Sequence, residues 1–398
     1  NKSMRKIPLI FSGIVSLVIL LVACSKADTT ATGQTVYTAV ATAFGAQIDL
    51  NNLANYAAQS KPAYITKDNT GNNPIINAKA TLGRVLFYDK KLSIDNTISC
   101  ASCHKQAFAF SDNQLVSTGV AGGKTDRHSM RLVNERFGVE TKFFWDERAT
   151  SLESQTTQPI ADHNEMGFSG QAGRVGIAAL LTKLQGVDYY NELFKFVYGD
   201  ITVTEPRLQE CLAQFVRSIQ SFDAKYDMGR AQVNNDRQSF PNFTAQENAG
   251  KDLFLTPPVF DGNSSRIGGG LGCNGCHNAP EFDIDPNTRN NGVMMTGYTG
   301  VDLGVTRAPS LRDLVNNKGE LNSALMHTGK IGDLSTAVTH YGSLITDNQN
   351  LDRRLKPNGV NVQRLNLQPA EIAAVVAFLK TLAGTNVYID KKWASPFN

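Results

Sequence analysis

Two copies of one short motif constrain this chain more than any other feature. The pattern C-x-x-C-H occurs at residues 100–104 and again at residues 273–277. Two thiols with two residues between them face the same way on a turn and can add to the two vinyl groups of a haem, while the next histidine binds its iron. Each motif therefore predicts a covalently bound haem c. The predicted cofactor-binding residues are Cys100, Cys103, His104, Cys273, Cys276 and His277.

Two other uses of such cysteines have to be weighed. Two C-x-x-C pairs can close a zinc site of four thiolates, and a single pair can be a thioredoxin-like redox centre. Here the pairs lie 173 residues apart, both carry the trailing histidine, and neither lies in a βαβ pattern. Two haem c groups are therefore expected, each in its own mainly helical domain.

The N-terminus predicts export. Residues 1–24 read as a lipoprotein signal peptide, with a basic start, an apolar run and a Leu-Val-Ala-Cys end that resembles a bacterial lipobox. The resemblance implies cleavage before Cys24 and a lipid on its sulfur; an uncleaved membrane anchor is the alternative. Either way the domains lie in the cell envelope, in the periplasm. Residues 25–60, rich in Ala, Thr, Gln and Asn, are predicted to be a flexible tether.

The rest of the chain has room for two domains. The full chain has 398 residues, of which 41% are hydrophobic and 19% are charged, and its formal net charge is +3. No charge run indicates a nucleic-acid partner. Helices are predicted within 74–93, 244–255 and 367–384, and Cys211 is expected to pack as a small apolar residue in another. The polar stretch 225–244 suggests domains over 61–235 and 236–398.

The order of motifs resembles the bacterial dihaem cytochrome c peroxidases, a family that includes MauG-like proteins. The resemblance runs from about Asn77 to the C-terminus and rests on "LGRVLFYDKKLSIDNTISCASCH", "FFWDERATSLESQTTQPI", "NEMG", "TRAPSLRDL" and "MHTGKIGDLSTAVTHYG". It implies two cytochrome-c-like helical domains. It also implies a peroxidatic haem on His104 and an electron-accepting haem on His277. A small c-type cytochrome or cupredoxin would donate the electrons to the second haem.

The resemblance carries four residues into the predicted catalytic site. Trp145 matches a tryptophan between the haems that relays electrons, although a buried aromatic anchor is the commoner use. Glu165 matches the acid that moves protons during cleavage of the peroxide O–O bond, with a solvated loop charge as the alternative. Gln155 and Pro159 match residues that line the same space.

On the far side of the first haem the chain departs from the pattern. Peroxidases that need reductive activation carry a blocking histidine where this chain has Val120, so the first haem is expected to be open. His128 and His163 are candidate substitutes. His128 also replaces an asparagine that contributes to a calcium site in the family, and imidazole is a poor calcium ligand, so calcium stays open.

The sixth ligand of the second haem is predicted to be Tyr341, with Met326 as the alternative and His340 or His327 behind them. A phenolate stabilises oxidised iron and a thioether does the opposite. The expected function is reduction of hydrogen peroxide to water. A MauG-like oxidase of a protein partner and a non-enzymatic electron-transfer cytochrome are the alternatives. Homodimers are common in the family, but no stretch indicates an interface.

Overall fold

The computed structural model describes residues 35–295 and 300–397, and within them the secondary structure is mostly helical. Cys24 and the predicted signal peptide lie outside these residues. The helices are α1 (Thr38–Phe44), α2 (Asn77–Tyr88), α3 (Cys100–Cys103), α4 (Leu152–Ala161), α5 (Ile177–Gln185), α6 (Asp188–Tyr198), α7 (Glu205–Ser218), α8 (Lys225–Arg230), α9 (Ala245–Leu255), α10 (Leu334–Thr339), α11 (Pro369–Lys380) and α12 (Asn386–Ile389).

The described strands are short and form two antiparallel pairs. β1 (Pro258–Phe260) pairs with β2 (Arg266–Gly269), and β3 (His277–Asn278) pairs with β4 (Asp283–Ile284). Long stretches that contain no α-helix among their described residues connect α3 to α4 and β4 to α10. These irregular stretches hold much of the chemistry described below, as loops on a rigid scaffold commonly do. The predicted mainly α fold is confirmed.

The first motif is supported by a close crossing of α2 and α7. Gly83 lies against α7 so tightly that a Cβ there would come within 2.0 Å of the Cys211 carbonyl oxygen. Phe87 of α2 packs on Phe215 of α7 with ring centroids 5.1 Å apart. Cys211 is fully buried, and burial raises the pKa of its thiol to about 12. Its predicted role as a packing residue is confirmed.

The second motif is supported by the same device. A Cβ on Gly250 of α9 would come within 1.9 Å of the Ala374 carbonyl oxygen on α11. Phe254 of α9 packs on Phe378 of α11 with ring centroids 5.3 Å apart. In each half, the helix before the motif has a glycine and, four residues later, a phenylalanine. Both residues pack against a helix that follows the motif in the same half. The chain therefore repeats one supporting arrangement, once for each C-x-x-C-H site.

The prediction of a flexible tether over 25–60 is wrong for residues 38–60. α1 packs on α6, and the Glu192 carboxylate accepts from the Ala39 and Val40 backbone N–H groups at 3.1 and 2.9 Å. The buried apolar residues of this stretch are Val40, Phe44, Ile48, Leu50 and Tyr56. Val40 and Phe44 are four residues apart, which is the spacing of one helical face, but the prediction rested on the Ala, Thr, Gln and Asn content of the stretch.

The C-terminal segment does not stay with the second half, as the predicted range 236–398 implied. Trp393 is buried, and its Nε1 donates to Ser218 Oγ at 3.3 Å. Tyr88 Oη donates to the Trp393 carbonyl at 2.6 Å and Arg84 Nε to the Ala394 carbonyl at 2.7 Å. Residues 386–397 thus close the back of α2.

The boundary predicted at 235/236 stays a prediction, although packing bears on it. Tyr226 and Phe240 belong to the hydrophobic core that surrounds Phe254 and Phe378. The second core therefore begins some residues before the predicted boundary. Residues 38–398 form one compact unit. Among the described residues, no helix has the length and apolar character needed to cross a bilayer.

Candidate haem sites

The first C-x-x-C-H motif forms a single helical turn that presents its histidine inward. Ser99 begins α3 in a capping box with Ser102, and His104 follows directly after Cys103. His104 Nδ1 lies 3.0 Å from the Met130 carbonyl oxygen and 3.1 Å from that of Phe110. Because carbonyl oxygens only accept, Nδ1 carries the proton and Nε2 keeps its lone pair. Iron-binding histidines are commonly oriented in this way.

The second motif forms a comparable turn. Cys273–Gly275 is a short 3-10 helix, and His277 begins β3. His277 Nδ1 donates to the Pro309 carbonyl oxygen at 3.0 Å, which again leaves Nε2 for a metal. Burial lowers the pKa of His277 to about 4, so the imidazole is neutral at physiological pH. Pro309 belongs to the "TRAPS" sequence, which thus has a structural task beside the second site.

Each histidine faces a cavity whose wall also contains the two thiols of its motif. The cavity at His104 measures about 430 Å³ and the one at His277 about 170 Å³. Burial raises the pKa of Cys100 and Cys273 to about 12, so the unreacted thiols are protonated. Within the part of the chain that the structure describes, no three His, Cys, Asp or Glu side chains converge on a metal position. The geometry thus fits two haem sites and gives no shared zinc site.

The two cavities have one wall in common. The residues that line both are His128, Ser129, Met130, Trp145 and Arg307. Trp145 is buried, and its Nε1 donates to the His128 carbonyl oxygen at 2.7 Å. Its own carbonyl accepts from the Thr306 and Arg307 backbone N–H groups at 2.9 and 3.0 Å. Trp145 is therefore held through its indole N–H and through its backbone carbonyl, in the wall that both cavities share.

Glu165, Gln155 and Pro159 all line the His104 cavity, as the resemblance implied. Gln155 and Pro159 lie on α4, and the turn after α4 carries Glu165. Burial, and next the Asp162 carboxylate, raise the pKa of Glu165 to about 7. A carboxyl group with such a pKa can both accept and return a proton near neutral pH.

Val120 supports this turn from behind and does not line the cavity. Its backbone N–H donates to the Glu165 carbonyl oxygen at 2.9 Å. The adjoining glycines fit closely: a Cβ on Gly119 would lie 1.9 Å from the Asn164 carbonyl oxygen, and one on Gly123 would lie 2.4 Å from it. The loop that carries a blocking histidine in some relatives therefore holds the Glu165 turn in place here.

The two candidate substitute histidines have other partners. His163 Nδ1 lies 3.0 Å from Ser169 Oγ, and His163 is not in the cavity wall. His128 lines both cavities, but its Nδ1 donates to the Gln114 carbonyl oxygen at 2.9 Å and its Nε2 lies 3.5 Å from Ser111 Oγ. His163 therefore lies outside the wall of the first cavity, whereas His128 lies in it and stays a candidate.

Tyr341 and Met326 both line the His277 cavity and share one neighbour. Asn291 Nδ2 donates to Tyr341 Oη at 3.2 Å and approaches Met326 Sδ at 3.4 Å. His340 Nε2 donates to the Asn291 carbonyl oxygen at 2.9 Å, and His327 Nε2 donates to that of Met295 at 2.9 Å. His340 is not in the cavity wall, whereas His327 lines it together with Tyr341 and Met326, so the sixth ligand stays a prediction.

Comparison with known proteins agrees with this arrangement. The family model described as "Di-haem cytochrome c peroxidase" matches residues 77–235. Residues 77–235 are therefore similar to the di-haem cytochrome c peroxidases. The description of that family implies two haem groups, which the two histidine–thiol sites fit.

The relatives of this chain include proteins named MauG and proteins named cytochrome c peroxidase. The "Methylamine utilization protein MauG" of Methylophilus methylotrophus is 27% identical over 320 residues, which cover 78% of this chain and 84% of the relative. The "Cytochrome c551 peroxidase" of Nitrosomonas europaea is 27% identical over 317 residues, covering 77% and 80%. A solved MauG-like protein "associated with microbial copper homeostasis" is 25% identical with a TM-score of 0.62, covering 85% of this chain and 98% of its own.

The sequence did not predict several residues of the two candidate haem sites. Arg307 lies in the quoted "TRAPS" motif, yet its place in the common wall depends on long-range packing. Met130 and Pro309 act through backbone carbonyls, so their side chains give no signal. Asn291 stands in an unpatterned polar stretch. Only the motif around Arg307 could have pointed to its residue in advance.

Proposed function

We propose that this protein reduces hydrogen peroxide to water at the His104 site, with electrons that enter at the His277 site from a small c-type cytochrome or cupredoxin. The observation that carries the proposal is the pKa of about 7 on Glu165, in the wall of the larger cavity. A purely electron-transferring cytochrome has no need of a carboxyl group tuned for proton transfer beside an open space.

In this proposal each residue in the wall of the His104 cavity has its own role. When bound, haem iron supplies a coordination position for peroxide and a route for its electrons. Glu165 accepts a proton from the inner peroxide oxygen and returns it to the outer oxygen as the O–O bond breaks. Two electrons and two further protons complete two water molecules. The Gln155 amide can hold peroxide or its water by hydrogen bonds, and Pro159 narrows the space around them.

Trp145 is proposed to relay electrons between the two sites. Its indole lies in the wall shared by both cavities and is fixed by its bond to the His128 carbonyl. A fixed ring needs little reorganisation when its charge changes. His104 and His277 each bind their iron through Nε2 in this proposal, since backbone carbonyls occupy both Nδ1 atoms.

Steady-state turnover with peroxide and reduced cytochrome c tests the proposal. We expect saturable oxidation of the cytochrome without a reductive activation step. Before turnover, an EPR spectrum of the isolated protein should show one high-spin and one low-spin ferric haem. Two low-spin signals together with an absence of turnover would favour a non-enzymatic electron-transfer cytochrome.

A second function, MauG-like oxidation of a protein partner, is favoured by Tyr341. Its buried phenol lies in the His277 cavity beside Asn291, and a phenolate ligand would stabilise oxidised iron. The Tyr341→Phe variant should then change the absorption and EPR spectra of the second haem, whereas Met326→Leu should not. Weak turnover with cytochrome c, combined with oxidation of a co-purifying protein, would support this role.

We also propose that the protein is exported and held in the periplasm by a lipid on Cys24. The support is the lipobox-like sequence, which lies outside the described residues. Cys24→Ser should move the protein from the membrane fraction to the soluble fraction of the cell envelope. Calcium is not part of the proposal, because the described residues offer no cluster of carboxylates for it.

A further inference from the structure

Arg131 is a buried cation in the wall of the His277 cavity with no carboxylate beside it. The side chain is 8% exposed and lines that cavity. Its three hydrogen-bond partners are neutral: the Arg312 carbonyl at 3.1 Å, Ser323 Oγ at 3.3 Å and the Ser310 carbonyl at 3.4 Å. A buried charge without a close counter-ion is costly, so an arrangement of this kind calls for an anion.

The guanidinium group also has donors to spare. Nε and the two terminal nitrogens each make one of the three bonds, which leaves one N–H on each terminal nitrogen without a partner among the described residues. Unpartnered N–H groups of a guanidinium group suit a carboxylate, which arginine can bind in a bidentate manner. The buried Asp313 carboxylate interacts electrostatically with Arg131 but forms no ion pair with it within the described part of the chain.

The other charges around this cavity are already accounted for. Arg307 has Glu135 at 3.2 Å and Asp283 at 3.9 Å. Arg289 lines the cavity but is exposed to solvent. Asp352, the acid in the wall, is paired with Arg354 at 3.2 Å. The uncompensated buried charge at this cavity therefore belongs to Arg131.

The position of Arg131 in the chain adds a second observation. It follows Met130, whose carbonyl holds His104, and its bonds go to Ser310 and Arg312, just after the Pro309 carbonyl that holds His277. A residue from the segment that supports the first site thus reaches across into the cavity of the second.

We propose that Arg131 binds a propionate carboxylate of the haem attached at Cys273 and Cys276, and thereby positions that haem and raises its reduction potential. A positive charge beside a haem favours the reduced iron, which carries one positive charge fewer than the oxidised iron. The inference rests on haem attachment at 273–277 and does not depend on peroxide reduction. A protein that holds two haems but lacks peroxidase activity would still test it.

Redox titration of the two-haem protein, followed by absorption and EPR to separate the haems, provides the test. Arg131→Gln should lower the potential of the His277 haem and leave that of the His104 haem nearly unchanged. Arg131→Lys retains the charge and should stay near the wild-type value. Arg289→Gln removes a solvent-exposed and therefore screened charge from the same cavity wall, so it should lower that potential less than Arg131→Gln does. An unchanged potential in Arg131→Gln, or an equal shift of both haems, would overturn the proposal.

If Arg131→Gln does not fold, resonance Raman spectroscopy of Arg131→Lys decides instead. The propionate bending band reports hydrogen bonding to the carboxylate, and lysine cannot reproduce the bidentate pair. We expect that band of the second haem to shift relative to the wild-type protein. An unshifted band would mean that Arg131 does not contact the propionate.

Discussion

At the scale of single residues, Glu165 is where chemistry and local structure meet most directly. We predict that Glu165→Gln lowers kcat for peroxide by about 10²–10⁴-fold, the usual contribution of a general acid–base group. The wild-type rate should rise as the pH passes through about 7, because the carboxylate form accepts the first proton. The rate of the Glu165→Gln variant should not show this rise with pH. Steady-state pH profiles with reduced cytochrome c measure both effects.

Asp162→Asn offers a matched comparison for this prediction. The Asp162 carboxylate raises the pKa of Glu165. The Asp162→Asn variant should therefore show the rise in rate at lower pH and should still turn over. A Glu165→Gln variant with wild-type turnover would show that the carboxyl group has no part in proton transfer.

Trp145 can be tested against the other tryptophan of the chain. Trp145→Phe keeps an aromatic ring but loses the bond to the His128 carbonyl, so turnover should fall severalfold. The lost hydrogen bond should also cost about 1 kcal/mol of unfolding free energy. Trp393→Phe loses a bond to Ser218, and Trp393 lines neither cavity. It should reduce stability similarly and leave turnover intact. Equal turnover in the two variants would argue against a relay at Trp145.

At the scale of helices, the two glycine crossings are the feature that both halves share. Alanine in place of Gly83 or Gly250 gains up to about 1 kcal/mol of helix propensity. The new Cβ would, however, lie about 2 Å from a backbone oxygen of the facing helix. Overpacking of this kind costs about 1–3 kcal/mol or more, so both variants should be destabilised.

Urea unfolding of the two-haem protein measures this loss. Gly332→Ala is a suitable control, since a Cβ there meets nothing within 4 Å. Haem content should remain at two per chain in all three proteins if they fold. A Gly83→Ala protein as stable as Gly332→Ala would mean that α2 and α7 can separate at little cost.

Local patterns predicted the helices well and the site only in part. The apolar spacing of 367–384 and the capping signals of 244–255 lead directly to α11 and α9, because the energies involved are local. The motif cysteines and histidines and the residues of "FFWDERATSLESQTTQPI" were also recognisable. Contacts made by carbonyls, such as those of Met130 and Pro309, were not, since any side chain can stand there. α1 was not predicted because it is only seven residues long, and two buried positions, Val40 and Phe44, give a weak pattern.

At the scale of the whole molecule, the return of the C-terminal segment to the first half is the main departure from two separate domains. Trp393→Ala should cost about 3–5 kcal/mol of unfolding free energy, as loss of a buried aromatic side chain does. Ile389→Ala, in the same segment but 68% exposed, should change stability by less than about 0.5 kcal/mol. Guanidinium unfolding followed by far-UV circular dichroism measures both. Similar stabilities would show that the segment contributes little to the fold.

The same segment has a consequence for the order in which the chain can mature. Tyr56, Arg84 and Tyr88 find hydrogen-bond partners in Lys392, Trp393 and Ala394, which lie 305 to 336 residues later in the chain. During synthesis the first half therefore lacks these partners until the later segment has been made. The first half completes its contacts only after both C-x-x-C-H motifs have been synthesised.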